Sequence, residues 1–296
     1  MIRIKRSVLL VGLVAALLVA PALADQEVNE TVKASATGLV TVENIAGSIE
    51  VVGWDRNEVK VEGMLTGDAE EVVIDEGKKT RIKVKYPRRM KNLKGGAELV
   101  IHVPAGSRIA IEGVSATVEV RDVKGAVDAE SISGSVTVSG KCESVEAESI
   151  SGDVVVDGDT EMLSVSSISG SVKATGGTCE VEAETVSGNI NLSFDKYLGL
   201  EVESVSGNAT VSGDLKSGGE FDFEMHSGVL RLTVPADVSA DFRIETFSGG
   251  IDNGFGQKSR KTSRYAPGRE LEFSNGDGGA RVRIDTFSGD VVILRK

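Results

Sequence analysis

Several things are scarce in this 296-residue chain, and each scarcity narrows what it can do. Two His and two Cys leave little material for acid–base, nucleophilic or thiolate–metal chemistry. Aromatic residues are 4 % of the chain, with one Trp, so rings cannot fill most of a core of this length. Proline is limited to 5 residues, which leaves long stretches free to pair as strands. Positive charge is also short: 33 Lys and Arg face 45 Asp and Glu, a net charge of −12, which excludes nucleic acid as a partner for the chain as a whole. No long apolar run occurs after residue 24.

The first 24 residues read as an address. Arg3, Lys5 and Arg6 precede the apolar run Val8 to Ala20, and Ala22-Leu23-Ala24 forms a small-x-small site. This pattern predicts a Sec-type signal peptide cleaved after Ala24. No Cys stands at the cleavage point to carry a lipid anchor, and the run is too short to favour a permanent span. Cleavage removes three positive charges, moving the net charge from −12 to −15 (−12 − 3). The mature chain is expected in a periplasm, at a cell surface or secreted, with no stable membrane span.

Glycine is abundant, 35 residues, and its placement is periodic. Ile132-Ser133-Gly134, Ile150-Ser151-Gly152, Ile168-Ser169-Gly170, Val186-Ser187-Gly188 and Val205-Ser206-Gly207 place their glycines 18, 18, 18 and 19 residues apart. A fixed period near twenty marks a solenoid. Around each glycine the pattern is apolar-x-apolar-x-x-apolar-Ser-Gly-x-apolar-x-apolar, two alternating strands joined at a corner. On this reading each coil sends about five apolar side chains inward, and the Ser-Gly pair is the corner, with Gly supplying space and Ser bonding nearby backbone. One such coil cannot bury enough to fold alone, so the array folds as an array. Gly228, Gly249 and Gly289 continue the series at wider intervals, and Ile45-Ala46-Gly47 stands alone near the start. Residues 52–103 and 250–280 interrupt it. The first interruption predicts longer strands that cap one end. All eight Phe lie at or beyond residue 194, predicting wider, ring-filled C-terminal coils.

The Gly53-Trp54-Asp55 after a Ser-Ile-Glu-Val strand, the Val103-Pro104-Ala105-Gly106 lead-in and the serial Ser-Gly units together resemble the putative-adhesin family of bacterial exported proteins. The resemblance covers most of residues 30–294. It implies an all-β fold, a right-handed single-stranded parallel β-helix with coils of about 18–21 residues and β caps. The expected organisation is a signal peptide at 1–24, an N-terminal β cap with the first coils at 25–105, and a β-helix at 106–296 with a basic loop insertion near 252–280. The resemblance also implies an exported, non-enzymatic structural or adhesin-like protein of the cell envelope that presents repeated faces for binding. The alternatives are a polysaccharide-acting enzyme on a β-helix scaffold, by analogy of fold alone, and an accessory protein in envelope-stress signalling.

Candidate sites follow from the repeat. Outward positions four and two before the corner hold Asp128/Glu130, Glu146/Glu148, Glu182/Glu184, Glu201/Glu203 and Asp222/Glu224, interrupted by Ser164/Ser166. Glu146, Glu148, Glu182, Glu184, Glu201 and Glu203 are candidate ligands for weak Ca²⁺ binding, since stacked carboxylates suit a hard cation. The plain alternative is a solvated face. No other cofactor is expected. Lys78 to Lys94 holds nine Lys or Arg and no acid, and Lys258 to Arg269 holds five. Arg88, Arg89, Lys91, Arg264 and Arg269 are candidates for binding an anionic polysaccharide or lipid head groups; the alternative is that they balance the acidic body or pair with its ladder. For the protein as a whole the expected partner is an envelope polysaccharide or a surface protein. Trp54 is expected to cap the first coil. His226 and His102 have no catalytic partner that the sequence identifies. Cys142 and Cys179 fall two coils apart, about 9–10 Å at strand spacing, too far for a disulfide without distortion.

Overall fold

The computed structural model describes residues 25–77, 79–88, 93–263 and 267–296. Among the described residues every regular element is a strand, 21 in all, joined in one mixed sheet system. The chain winds as a solenoid with two long faces. One face begins with Leu39–Trp54, Arg108–Arg121, Val127–Ser131, Ser144–Ser149 and Met162–Ser167, each parallel to the next. It continues through the later parts of Val172–Thr185 and Ile190–Ser206, then Glu220–Val234, Ala280–Arg295 and Ala240–Thr246. The second face carries Val136–Ser139, Val154–Asp157 and Ala209–Leu215 with the remaining halves of the long strands.

The chain order breaks at both ends in the same way. Leu39–Trp54 lies between Arg108–Arg121 and an outer layer made by Lys79–Lys85 and Ala97–Pro104. Ala280–Arg295, last in sequence, lies between Glu220–Val234 and Ala240–Thr246. The two interruptions of the repeat are therefore the end covers. Antiparallel pairing is confined to them: Gln26–Lys33 with Glu58–Leu65, Glu58–Leu65 with Ala97–Pro104, Glu71–Asp75 with Lys79–Lys85, Ala240–Thr246 with Arg269–Asn275, and Arg260–Lys261 with Arg269–Asn275. Such hairpins occupy sheet edges that would otherwise pair with another chain.

Alternation by two sets the core. Val136, Val138, Val145, Ala147, Val154 and Val156 point inward in the middle coils, and Tyr197, Phe221, Phe223 and Phe242 fill the C-terminal ones. The widening by rings is thus observed, but only for part of the Phe set, because Phe247 and Phe287 face outward.

The corner departs from the sequence reading in two respects. The apolar residue before each Ser-Gly is not inward: Ile132, Ile150, Ile168, Val186 and Val205 are 43–49 % exposed. The inward position one residue earlier is taken by a hydroxyl. Ser131, Ser149, Ser167 and Thr185 are buried and accept the amide of the glycine three residues on, at 2.9–3.0 Å. Ser131, Ser149 and Ser167 also donate to a carbonyl one coil back, at 3.0–3.1 Å. These hydroxyls, not the exposed Ser133, Ser151, Ser169 and Ser187, form the repeated polar bond of the corner. They hold it because the turn leaves an amide and a carbonyl with no ladder partner, which burial makes costly. The glycine itself is required by close approach: a Cβ on Gly152 would lie 2.2 Å from the Gly134 carbonyl oxygen, and one on Gly170 2.0 Å from that of Gly152.

Cys142 and Cys179 are free and buried. Burial pushes the Cys142 thiol up to about 11; burial first, then the neighbouring Glu180 charge, pushes Cys179 to about 12. Trp54 is not a buried cap. It is partly exposed, its ring 5.0 Å from that of His102, with Arg56 over its face and Nε1 donating to the Glu58 carbonyl at 2.8 Å.

Candidate functional site: an axial groove

The ladder register turns one corner of every coil into three parallel rows. The inner row is the buried hydroxyl column, from Ser131 to Ser204 and again at Thr286 and Thr246, with Met225 between the two stretches and Asn44 and Gly113 at its N-terminal end. On one side stand carboxylates: Glu112, Glu130 and Glu148 in successive register, then Ser166, Glu184, Glu203 and Glu224, and at the far end Asp285 and Glu245. On the other side stand the outward apolar residues. Val114, Ile132, Ile150 and Ile168 serve the N-terminal half; Val186, Val205, His226, Phe287 and Phe247 serve the C-terminal half. The rows enclose a groove with one cavity of about 830 Å³ in the C-terminal half and another of about 540 Å³ in the N-terminal half. Ser166 and Ile168 line both cavities, so the two are continuous. From Glu43 to Glu245 the rows climb ten levels, about 43 Å at ~4.8 Å per level.

At the C-terminal end the apolar row becomes a ring stack. His226 and Phe287 lie 4.9 Å apart with an interplanar angle of 1°, and Phe287 and Phe247 4.8 Å apart at 5°. The strand spacing imposes this distance, because each ring rises from the same position of a neighbouring level. Phe247 is 55 % exposed.

Electrostatics divide the acidic row. Glu43 at the N-terminal end is held below the usual carboxylate range by a hydrogen bond from Lys83, with Arg81 2.8 Å away as a second cation. At the C-terminal end Arg283 pairs with Asp285 at 2.7 Å and Arg243 with Glu245 at 2.8 Å. Between them Glu112, Glu130, Glu148, Glu184, Glu203 and Glu224 have no ion pair among the described residues. Burial first, then neighbouring carboxylates, raises Glu130 (Glu148, Glu112), Glu148 (Glu146, Asp128) and Glu184 (Glu203, Glu182) above the ordinary value. The groove wall is unneutralised acid in its middle and basic-paired at both ends.

The candidates read from sequence fall out unevenly. Glu182 stands beside Glu201 and Glu184 beside Glu203, but Ser164 and Ser166 separate all four from Glu146 and Glu148. Among the described residues no three His, Cys, Asp or Glu come together as a metal-holding group, so the ladder runs as stacked single carboxylates and forms no cage. Arg88 is exposed and Arg269 is partly buried, its guanidinium 3.4 Å from Ser259 Oγ. Arg89, Lys91 and Arg264 lie outside the described residues. Around them the basic strands are engaged: Lys85 pairs with Glu71 and Arg260 with Glu270. Sequence reasoning missed the outward apolar row because an apolar residue was assigned to the core by default. The signal was present: Ile132 lies three residues after the inward Ala129, and an odd step along a strand of period two reverses the face.

A family model matches residues 40–294, the whole of the stacked region. The chain belongs to the Toastrack DUF4097 family. The resemblance to putative adhesins read from the Ser-Gly units is borne out at that level. Among solved structures, a putative adhesin from Bacteroides fragilis shares 11 % identity, with 92 % of this chain and 99 % of that one covered, at a TM-score of 0.46. A putative lipid binding protein from Parabacteroides distasonis shares 12 % identity over 90 % and 96 % at 0.47. A putative cell adhesion protein from Clostridium sporogenes shares 12 % over 92 % and 100 % at 0.25. No curated protein matches the chain.

Proposed function

We propose that the chain is an exported, non-enzymatic, adhesin-like binding protein of the bacterial cell envelope, acting in the periplasm, at the surface or after secretion. The observation that carries this reading is the continuous groove, in which the same acid, hydroxyl and apolar positions recur level after level. Repetition without a unique constellation suits the binding of an elongated partner; catalysis needs one convergent arrangement. The basic n-region and apolar run before Ala24 support export. The winding is inferred to be right-handed, since right-twisted strands favour right-handed crossovers between parallel neighbours.

The test is a binding screen of the purified protein against envelope polysaccharides, glycans and surface proteins, with and without Ca²⁺, with cleavage products assayed in parallel. Saturable binding without turnover is expected. Product release would establish a polysaccharide-acting enzyme instead.

A further inference from the structure

Resting on that binding reading, we propose that the occupant of the C-terminal half of the groove is a cationic amphipathic α-helix of a partner protein. Its apolar stripe would lie on the ring and valine row, and its Lys or Arg flank would face Glu184, Glu203 and Glu224.

Four observations select this occupant. The carboxylate wall is unpaired among the described residues in its middle levels and its carboxyls are crowded, so a cation is the complementary charge and anionic glycans or lipid head groups are repelled. Next, the exposed rings do not form a sugar platform. Phe287 has His226 against one face and Phe247 against the other, so it offers an edge, which suits aliphatic side chains and not a stacked pyranose. Spacing supplies the third. Levels repeat every ~4.8 Å, close to the ~5.4 Å turn of a helix, whereas same-side residues of a strand repeat every ~6.7 Å. A strand would also find no free backbone to pair with, because the groove's levels already bond one another. Last, Ser204 on the groove floor is 5 % exposed and its Oγ has no hydrogen-bond partner, unlike Ser149 and Ser167 in the same column. It is a polar group left for a ligand to satisfy. The six levels from Ser166 to Glu245 span about 24 Å, or roughly 16 helical residues.

The experiment titrates the purified protein with a labelled helical peptide of about 18 residues, Leu on one face and Lys beside it. A shuffled peptide of equal composition and a Lys-to-Glu analogue serve as comparisons. The amphipathic peptide is expected to bind at least about tenfold more tightly than the shuffled one, and the acidic analogue not to bind. Phe287→Ala and the double variant Glu184→Gln/Glu203→Gln should each weaken it by about tenfold. The double variant removes crowded charge, so its melting temperature should rise while its affinity falls, which separates lost binding from lost folding. Equal affinity for the shuffled peptide, or unchanged affinity in the double variant, overturns the helix. If an envelope polymer binds and both variants leave it intact, the occupant is wrong and the binding function stands. If neither screen finds a ligand, both fail.

Discussion

Replacing Ser149 with Ala tests the corner at its most specific point. The side chain is 4 % exposed; its Oγ accepts the Gly152 amide at 2.9 Å and donates to the Gly134 carbonyl at 3.1 Å. The two backbone groups belong to adjacent levels, so the hydroxyl ties one coil to the next. Alanine leaves a donor and an acceptor buried and unpaired, at roughly 1–3 kcal/mol for each. We expect Ser149→Ala to destabilise by about 2–4 kcal/mol, since the carbonyl with its second lone pair suffers less than the amide. Ser149→Thr should retain most of the stability, because Thr185 fills the same column and holds the Gly188 amide at 2.9 Å. Urea unfolding measures the total. Hydrogen exchange at the Gly152 amide measures it locally, which matters because solenoid levels can open separately. A Ser149→Ala protein within about 0.5 kcal/mol of the parent, with Gly152 exchange unchanged, would refute the account of the corner.

Further outcomes follow from the same geometry. Gly170→Ala would place a Cβ 2.0 Å from the Gly152 carbonyl oxygen and should cost about 1–3 kcal/mol or force a local shift; a neutral variant by thermal melting contradicts the close-approach reading. For Glu130, Glu148 and Glu184 the folded-state carboxyls titrate above their ordinary 4.5, so their stabilising contribution is full below that value and is lost as pH rises through the raised one. Glu43 is depressed and works oppositely, its contribution being lost only as pH falls below 4.5. The melting temperature should therefore rise on going from pH 7 toward mildly acidic solution; a steady fall over that interval rejects the crowding of the ladder. Glu203→Gln relieves Glu184 and should stabilise by about 0.2–1 kcal/mol at neutral pH, measured by urea titration. Millimolar Ca²⁺ should raise the melting temperature beyond matched ionic strength if the acidic ladder attracts it, and no excess shift removes the metal reading. Cys142 and Cys179, with thiols raised to about 11 and 12, should react with a thiol reagent only on unfolding; prompt labelling of the native protein would disprove their burial.

The glycine interval by itself determined that the chain is a stack of coils near 18 residues long, because a period encodes a repeated local solution. It also determined which carboxylates align, since the same offset from each glycine must fall in the same row, and the observed register of Glu130 with Glu148 and Glu184 with Glu203 agrees. It kept the cysteines apart for the same reason. Other features depend on long-range pairing and were not legible. That Ala280–Arg295 enters between Glu220–Val234 and Ala240–Thr246 follows from which edge is left open after residue 250, a property of the folded stack. The burial of Ser149 and the exposure of Ile150 are the reverse of what the repeat pattern predicts, because hydropathy alone ranks isoleucine inward. At this corner the backbone's unpaired amide and carbonyl demand a buried hydroxyl, and that demand outweighs the gain from burying one more apolar side chain. Tertiary structure decided the groove, because only the stacking of successive levels, seven of them with a buried Ser or Thr beside an exposed apolar residue, makes a continuous surface.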